Sequence, residues 1–77
     1  MDRTTLVQLL NEAETLLHRG ELQLAHQREV IGTLQRAGRD TALARLQLRR
    51  LESRQARHIA DRNRLFKQLS DQPLSRV

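Results

Sequence analysis

Apolar residues recur at alternating intervals of four and three along the first half of this chain. Only one member of the row, Gln27, is both large and polar. This spacing keeps every member on one side of an α-helix and is typical of a coiled-coil seam. It predicts a long helix that buries one stripe against another helix. The row consists of Leu6, Leu10, Ala13, Leu17, Gly20, Leu24, Gln27, Ile31, Leu34 and Gly38.

A short break separates this segment from a second helical pattern. Gly38 stands where a helix favours a left-handed residue after its last turn. Asp40 is suited to the start of the next helix, because its carboxylate faces free N–H groups and the positive end of the helix dipole. The break therefore predicts a tight connection between two helices.

The outer ends of the two helices also carry signals. Thr5 and Gln8 fit a capping box, in which each side chain satisfies a free backbone N–H group. Pro73 disfavours helical geometry at Gln72 and so predicts the end of the second helix. We expect a single domain with a first helix at about 4–37, a turn at 38–40, a second helix at about 41–70 and a frayed tail at 71–77.

Two helices of similar length joined by so short a turn predict an all-α, antiparallel hairpin. The register that follows gives the hairpin a polar middle section containing Gln27, Gln55 and His58. It also places Gly20 beside His58 and Ile59. Glycine costs about 1 kcal/mol of helix propensity relative to alanine, and we interpret Gly20 as giving one of these two side chains room to approach.

The first helix carries more apolar surface than one neighbouring helix can cover. A two-fold dimer that forms a four-helix bundle would bury the excess. We therefore expect a homodimer, and a protein partner, if there is one, would use the same flank. The predicted self-association residues are Leu9, Leu16, Val30, Leu43 and Leu46.

Positive charge is concentrated in the second helix. The whole chain has a net charge of +5. Residues 3–37 contribute none of it, because their four Arg are balanced by four acidic residues. A stripe of arginines can follow a phosphate backbone, which makes RNA or DNA binding the alternative function. Phe66 is the single aromatic residue, so the chain lacks a set of aromatic residues for base stacking. Ion pairs of Arg49 with Glu52 and of Asp61 with Arg57 and Arg64 would neutralise part of the stripe. The stripe consists of Arg45, Arg49, Arg50, Arg54, Arg57 and Arg64.

Several chemical functions are disfavoured by composition. The chain has no Cys, and its three Gly are too scattered for a phosphate-binding loop. His18 and His26 are eight residues apart, whereas zinc ligands on one helix stand three or four apart. We expect no catalytic residues, no cofactor and no metal.

The sequence also disfavours contact with a membrane. No apolar run approaches the length of a membrane span, and a helix lying on the lipid surface is disfavoured. Because the N-terminus also lacks a secretory pattern, the expected location is cytoplasmic.

Six segments spread over most of the chain form a distinctive pattern. They are Gly20-Glu21, Gln27-Arg28-Glu29-x-Ile31, Gly38-Arg39-Asp40-Thr41, Leu51-Glu52, His58-Ile59-Ala60-Asp61-Arg62-Asn63-Arg64-Leu65 and Leu69. This pattern resembles a group of small uncharacterised bacterial proteins in which a Gly-His-Asp-Thr turn joins two helices, although Arg39 here replaces the turn histidine. The resemblance implies a helical hairpin and supplies no mechanism, and the architecture is also similar to the RNA-binding plasmid regulator ROP in shape alone.

Overall fold

Two α-helices pack side by side in a computed structural model that describes residues 1–72. Helix α1 spans Arg3–Arg36 and helix α2 spans Ala42–Asp71. The amide Nε2 of Gln72 donates to the backbone carbonyl of Met1 at 2.9 Å, so the two ends of the described chain lie together. The helices are therefore antiparallel, and the all-α hairpin predicted from the seam is confirmed.

Helix α1 begins one turn earlier than its predicted capping box. Asp2 is the N-cap, and its Oδ1 accepts a hydrogen bond from the backbone N–H of Thr5 at 2.7 Å. The predicted box of Thr5 and Gln8 is therefore wrong. An aspartate is a stronger N-cap than a threonine, and capping at Asp2 rather than at Thr5 adds Arg3, Thr4 and Thr5 to the helix. Hydrogen bonds from Thr5, first through its side chain and then through its backbone, lower the pKa of Asp2.

The turn closes α1 with two backbone hydrogen bonds of the Schellman type. The N–H of Arg39 donates to the carbonyl of Leu34 at 2.9 Å, and the N–H of Gly38 donates to that of Gln35 at 3.0 Å. Gly38 has a φ of 68°, which confirms the predicted left-handed residue. Since a side chain at this φ would be strained, glycine permits the tight reversal.

Helix α2 begins and ends close to its predicted limits. The carboxylate of Asp40 accepts a hydrogen bond from the N–H of Ala42 at 3.0 Å, although Thr41 occupies the N-cap position itself. At the other end Gln72 has an extended backbone, with ψ of 136°. That geometry is what a following proline favours. Asp71 and Gln72, the first two residues of the tail expected at 71–77, are the last residue and the C-cap of α2, so the expected fraying is wrong there. The rest of the expected tail, from 73 onward, lies outside the described residues.

The interior of the hairpin is supplied mostly by one helix. Helix α2 contributes only Ala44 and the polar Gln55 to the buried set, while Leu51, His58, Leu65 and Leu69 are half-buried. The seam predicted for the first helix is thus the inner face of α1, but it packs against a shallow and partly polar surface. The buried apolar residues are Leu6, Leu10, Ala13, Leu17, Leu24, Ile31 and Ala44.

The hairpin is long and thin. Its radius of gyration is 17.8 Å and its principal extents are 65 × 14 × 13 Å. A compact globular chain of this length has a radius of gyration of about 11.5 Å. Within residues 1–72, neither helix combines the length and the apolar character that crossing a lipid bilayer requires.

Candidate association surface

The middle of the hairpin is held by a glutamine that lies over a glycine. Gln55 is only 7% exposed, and its Nε2 donates to the backbone carbonyl of Leu17 at 2.9 Å. A Cβ atom added to Gly20 would lie 2.7 Å from Cδ of Gln55 and closer still to its Oε1. Gly20 therefore makes room for Gln55, and the interpretation that it admits Ile59 or His58 is wrong.

A second glutamine crosses the interface from the opposite helix. The amide Nε2 of Gln27 donates to the carbonyl of Ala44 at 2.9 Å and to Oε1 of Gln47 at 3.2 Å. Together with the bond from Gln55 to Leu17, this gives each helix a side chain bonded to the other helix's backbone. These bonds confirm the polar middle section and fix the sliding register of the two helices.

A groove runs along one side of this middle section. Two hollows, of about 280 and 360 Å³, share Leu16 on α1 and His58 on α2. Leu9 and Leu65 line the outer hollow, so its walls are largely apolar. His58 is half-buried, and its Nδ1 is buried with no hydrogen-bond partner in the described chain.

The predicted self-association residues differ in how far they reach solvent. Leu43 and Leu46 on α2 are 68% and 37% exposed, and Leu16 on α1 is 44% exposed. Leu9 and Val30 are half-buried beside the seam. All five retain apolar surface outside the core, and Leu9 and Leu16 line the groove.

Other exposed apolar side chains were missed by the sequence interpretation. Ile59 and Phe66 are 41% and 56% exposed, and Val7 and Leu22 are also open to solvent. Ile59 and Phe66 stand seven residues apart and so share one face of α2. That seven-residue spacing was the signal available in the sequence, but Ile59 was assigned to the interior.

The arginines of the predicted stripe are all exposed. Nη2 of Arg64 lies 2.7 Å from Asp61, which confirms one predicted ion pair. The other two predictions, Arg49 with Glu52 and Arg57 with Asp61, are wrong. Glu52 instead lies 3.7 Å from Arg28 on the other helix. Spacing within one helix does not reveal a competing cation across the hairpin.

The other arginines of the stripe pair with neither Glu52 nor Asp61. Nε of Arg45 donates to Oγ1 of Thr41 at 2.9 Å. In residues 1–72 no ion pair includes Arg49, Arg50, Arg54 or Arg57. Arg54 lines the inner hollow of the groove opposite Arg19 of α1, a residue that the sequence interpretation did not include.

The described chain offers no ready metal site. Across residues 1–72, no three His, Cys, Asp or Glu side chains are grouped so that they can hold a metal ion. The lining of the groove combines leucines with arginines, a histidine and a few acids. Such a surface is suited to contact with another macromolecule.

Comparison with protein-family profiles, with curated proteins and with solved structures gives no match for this chain. Its function must therefore be inferred from the exposed surface and the small core.

Proposed function

We propose that this chain is a non-catalytic helical hairpin that self-associates as a homodimer through a four-helix bundle. The observation that carries the proposal is its surface area. The chain exposes 6205 Å², whereas a compact monomer of its mass exposes about 4,900 Å². The excess is about 1,300 Å² per chain, or about 2,600 Å² for a pair, which falls within the range buried by obligate homodimers.

The small core supports the same proposal. Among residues 1–72, only seven apolar residues are buried, and two of them are alanines. The chain has no Cys and therefore no disulfide to compensate. Small scaffolds without such cross-links commonly gain their stability by oligomerising, because a single thin core barely offsets the conformational entropy lost on folding.

Sedimentation equilibrium at micromolar concentration tests the proposal. We expect twice the chain mass of 9.0 kDa for the wild type. The double variant Leu16→Ser with Val30→Ser should shift toward the monomer, since it removes apolar area from the proposed interface. Leu22→Ser is the matched control, because Leu22 is exposed but lies off the proposed flank. A folded wild-type monomer would reject the proposal.

A second candidate, polyanion binding, is supported by the arginines that have no acidic partner in the described structure. Arg49, Arg50, Arg54 and Arg57 are exposed and are available to phosphate groups. Such binding is strong at low salt and weakens steeply as salt rises, because bound counterions are released.

A salt titration with RNA and with DNA tests this candidate. We expect the quadruple variant, in which all four arginines are replaced by Gln, to lose its binding to RNA and DNA. Its helical signal in circular dichroism should stay unchanged. The arginines lie outside the buried core, so the hairpin should still fold. Wild-type protein that shows no salt-sensitive affinity for either nucleic acid would eliminate polyanion binding.

A further inference from the structure

The outer side of α1 contains two shallow hollows lined entirely by its own residues. Each includes four residues at positions i, i+3, i+4 and i+7 of the helix. This is the four-residue arrangement into which a knob side chain of a facing helix inserts in a coiled coil. The first hollow is lined by Glu12, Thr15, Leu16 and Arg19, and the second by His26, Glu29, Val30, Thr33 and Leu34.

The two hollows are related by position. They lie fourteen residues apart, so their midpoint falls beside Gln23, which is exposed. Leu16 and Val30 stand seven residues before and after Gln23, and Leu9 and Ala37 stand fourteen before and after it. This row has the same order of apolar and polar residues in both directions, with one polar residue at its centre. It is therefore suited to pairing with an inverted copy of itself.

We propose, on the basis of the self-association proposed above, that α1 of one chain packs antiparallel against α1 of a second, with Gln23 on the two-fold axis. Leu16 of each chain then enters the hollow around Val30 of the other. The two Gln23 amides face each other, and each supplies both a donor and an acceptor. A central polar pair of this kind fixes the register of a coiled coil.

The distribution of charge favours this seam over one made by α2. Residues 3–37 contain four Arg and four acidic residues, whereas residues 41–70 contain eight basic and two acidic residues. A seam between two copies of α2 would bring these two basic segments into contact. Pairing through α1 avoids that repulsion and leaves Arg49, Arg50 and Arg57 away from the central contact, whereas Arg54 lines a hollow together with Gln23.

Cysteine cross-linking tests the seam, since the chain contains no Cys of its own. Residues that face each other across a two-fold axis between packed helices lie within the Cα separation that a disulfide needs. We expect Gln23→Cys to form a covalent dimer under mild oxidation about tenfold faster than Leu22→Cys. Leu22 is the matched control because it is adjacent in sequence, is 59% exposed and lies on another side of α1.

Sedimentation of both variants under reducing conditions separates the two proposals. A dimer mass together with fast cross-linking at position 23 alone supports the seam. A dimer mass without this preference, including equal rates at both positions, overturns the seam but leaves self-association intact. A monomer mass for the wild type and both variants overturns the proposed function and the seam with it.

Discussion

At the scale of single residues, the contact between Gly20 and Gln55 determines most about the middle of the hairpin. Gln55 is buried, and its Nε2 bonds to Leu17, but its Oε1 has no hydrogen-bond partner in the described chain. A buried polar atom without a partner is destabilising. The middle section therefore specifies how the helices align more than it stabilises their contact.

Replacing Gly20 with alanine should destabilise the protein, although alanine is the better helix former. The new Cβ would displace the Gln55 amide from its position and break its bond to Leu17. We expect a loss of about 1–3 kcal/mol in the free energy of unfolding, measured by urea denaturation.

Gly32→Ala is the control for this prediction. A Cβ at Gly32 meets only the guanidinium end of Arg36, at 3.3 Å. That side chain is exposed and can move, so we expect a gain of about 1 kcal/mol from helix propensity. If Gly20→Ala stabilised the protein as much as Gly32→Ala, that result would show that Gln55 does not occupy the space over Gly20.

The N-cap of α1 should make a small pH-dependent contribution. Because hydrogen bonds from Thr5 lower the pKa of Asp2, the stabilisation is complete above the unfolded carboxyl pKa of about 3.9. It is lost as the pH falls through the lower, folded pKa. The wild type should therefore lose some helical signal in circular dichroism below about pH 4, as Asp2 becomes protonated. Asp2→Asn still caps the helix but has no carboxyl group to titrate, so we expect it to lack this loss. Identical acid titrations of the two proteins would contradict a charged Asp2 cap.

At the scale of the elements, the sequence predicts the helices and the turn better than it predicts their contacts. The seam follows from apolar spacing, and the turn from Gly38, because both depend only on local geometry. The cap of α1 was misassigned because Asp2 and Thr5 are both acceptable N-caps, although the predicted start at about residue 4 is within one residue of Arg3. The partner of Glu52 was misassigned because Arg28 approaches it only after the hairpin has formed.

The ion pair between the helices should contribute little to stability. Arg28 and Glu52 are 59% and 48% exposed at a separation of 3.7 Å. Solvent screens such pairs, and they typically contribute about 0–1 kcal/mol. We expect Glu52→Gln to lower the free energy of unfolding by less than about 1 kcal/mol in urea. A loss well above that range would mean that the pair is shielded, as it would be inside an oligomer interface.

At the scale of the whole molecule, the structure has the proportions of a rod. The inner face of α1 is well covered, whereas α2 adds only two buried side chains. Sequence patterning predicted the excess apolar surface on Leu9, Leu16 and Val30. It did not predict the groove or the exposed Ile59 and Phe66, since these depend on how the second helix is rotated against the first.

The central claim is that this hairpin folds and associates in one transition, because its own core is too small to stabilise a lone chain. Thermal unfolding over a hundredfold range of protein concentration tests the claim most directly. For a dimer that unfolds to separate chains, the Tm should rise by about 5 °C for each tenfold increase in concentration. A Tm that is the same at every concentration would show that the hairpin is stable alone and would contradict the claim.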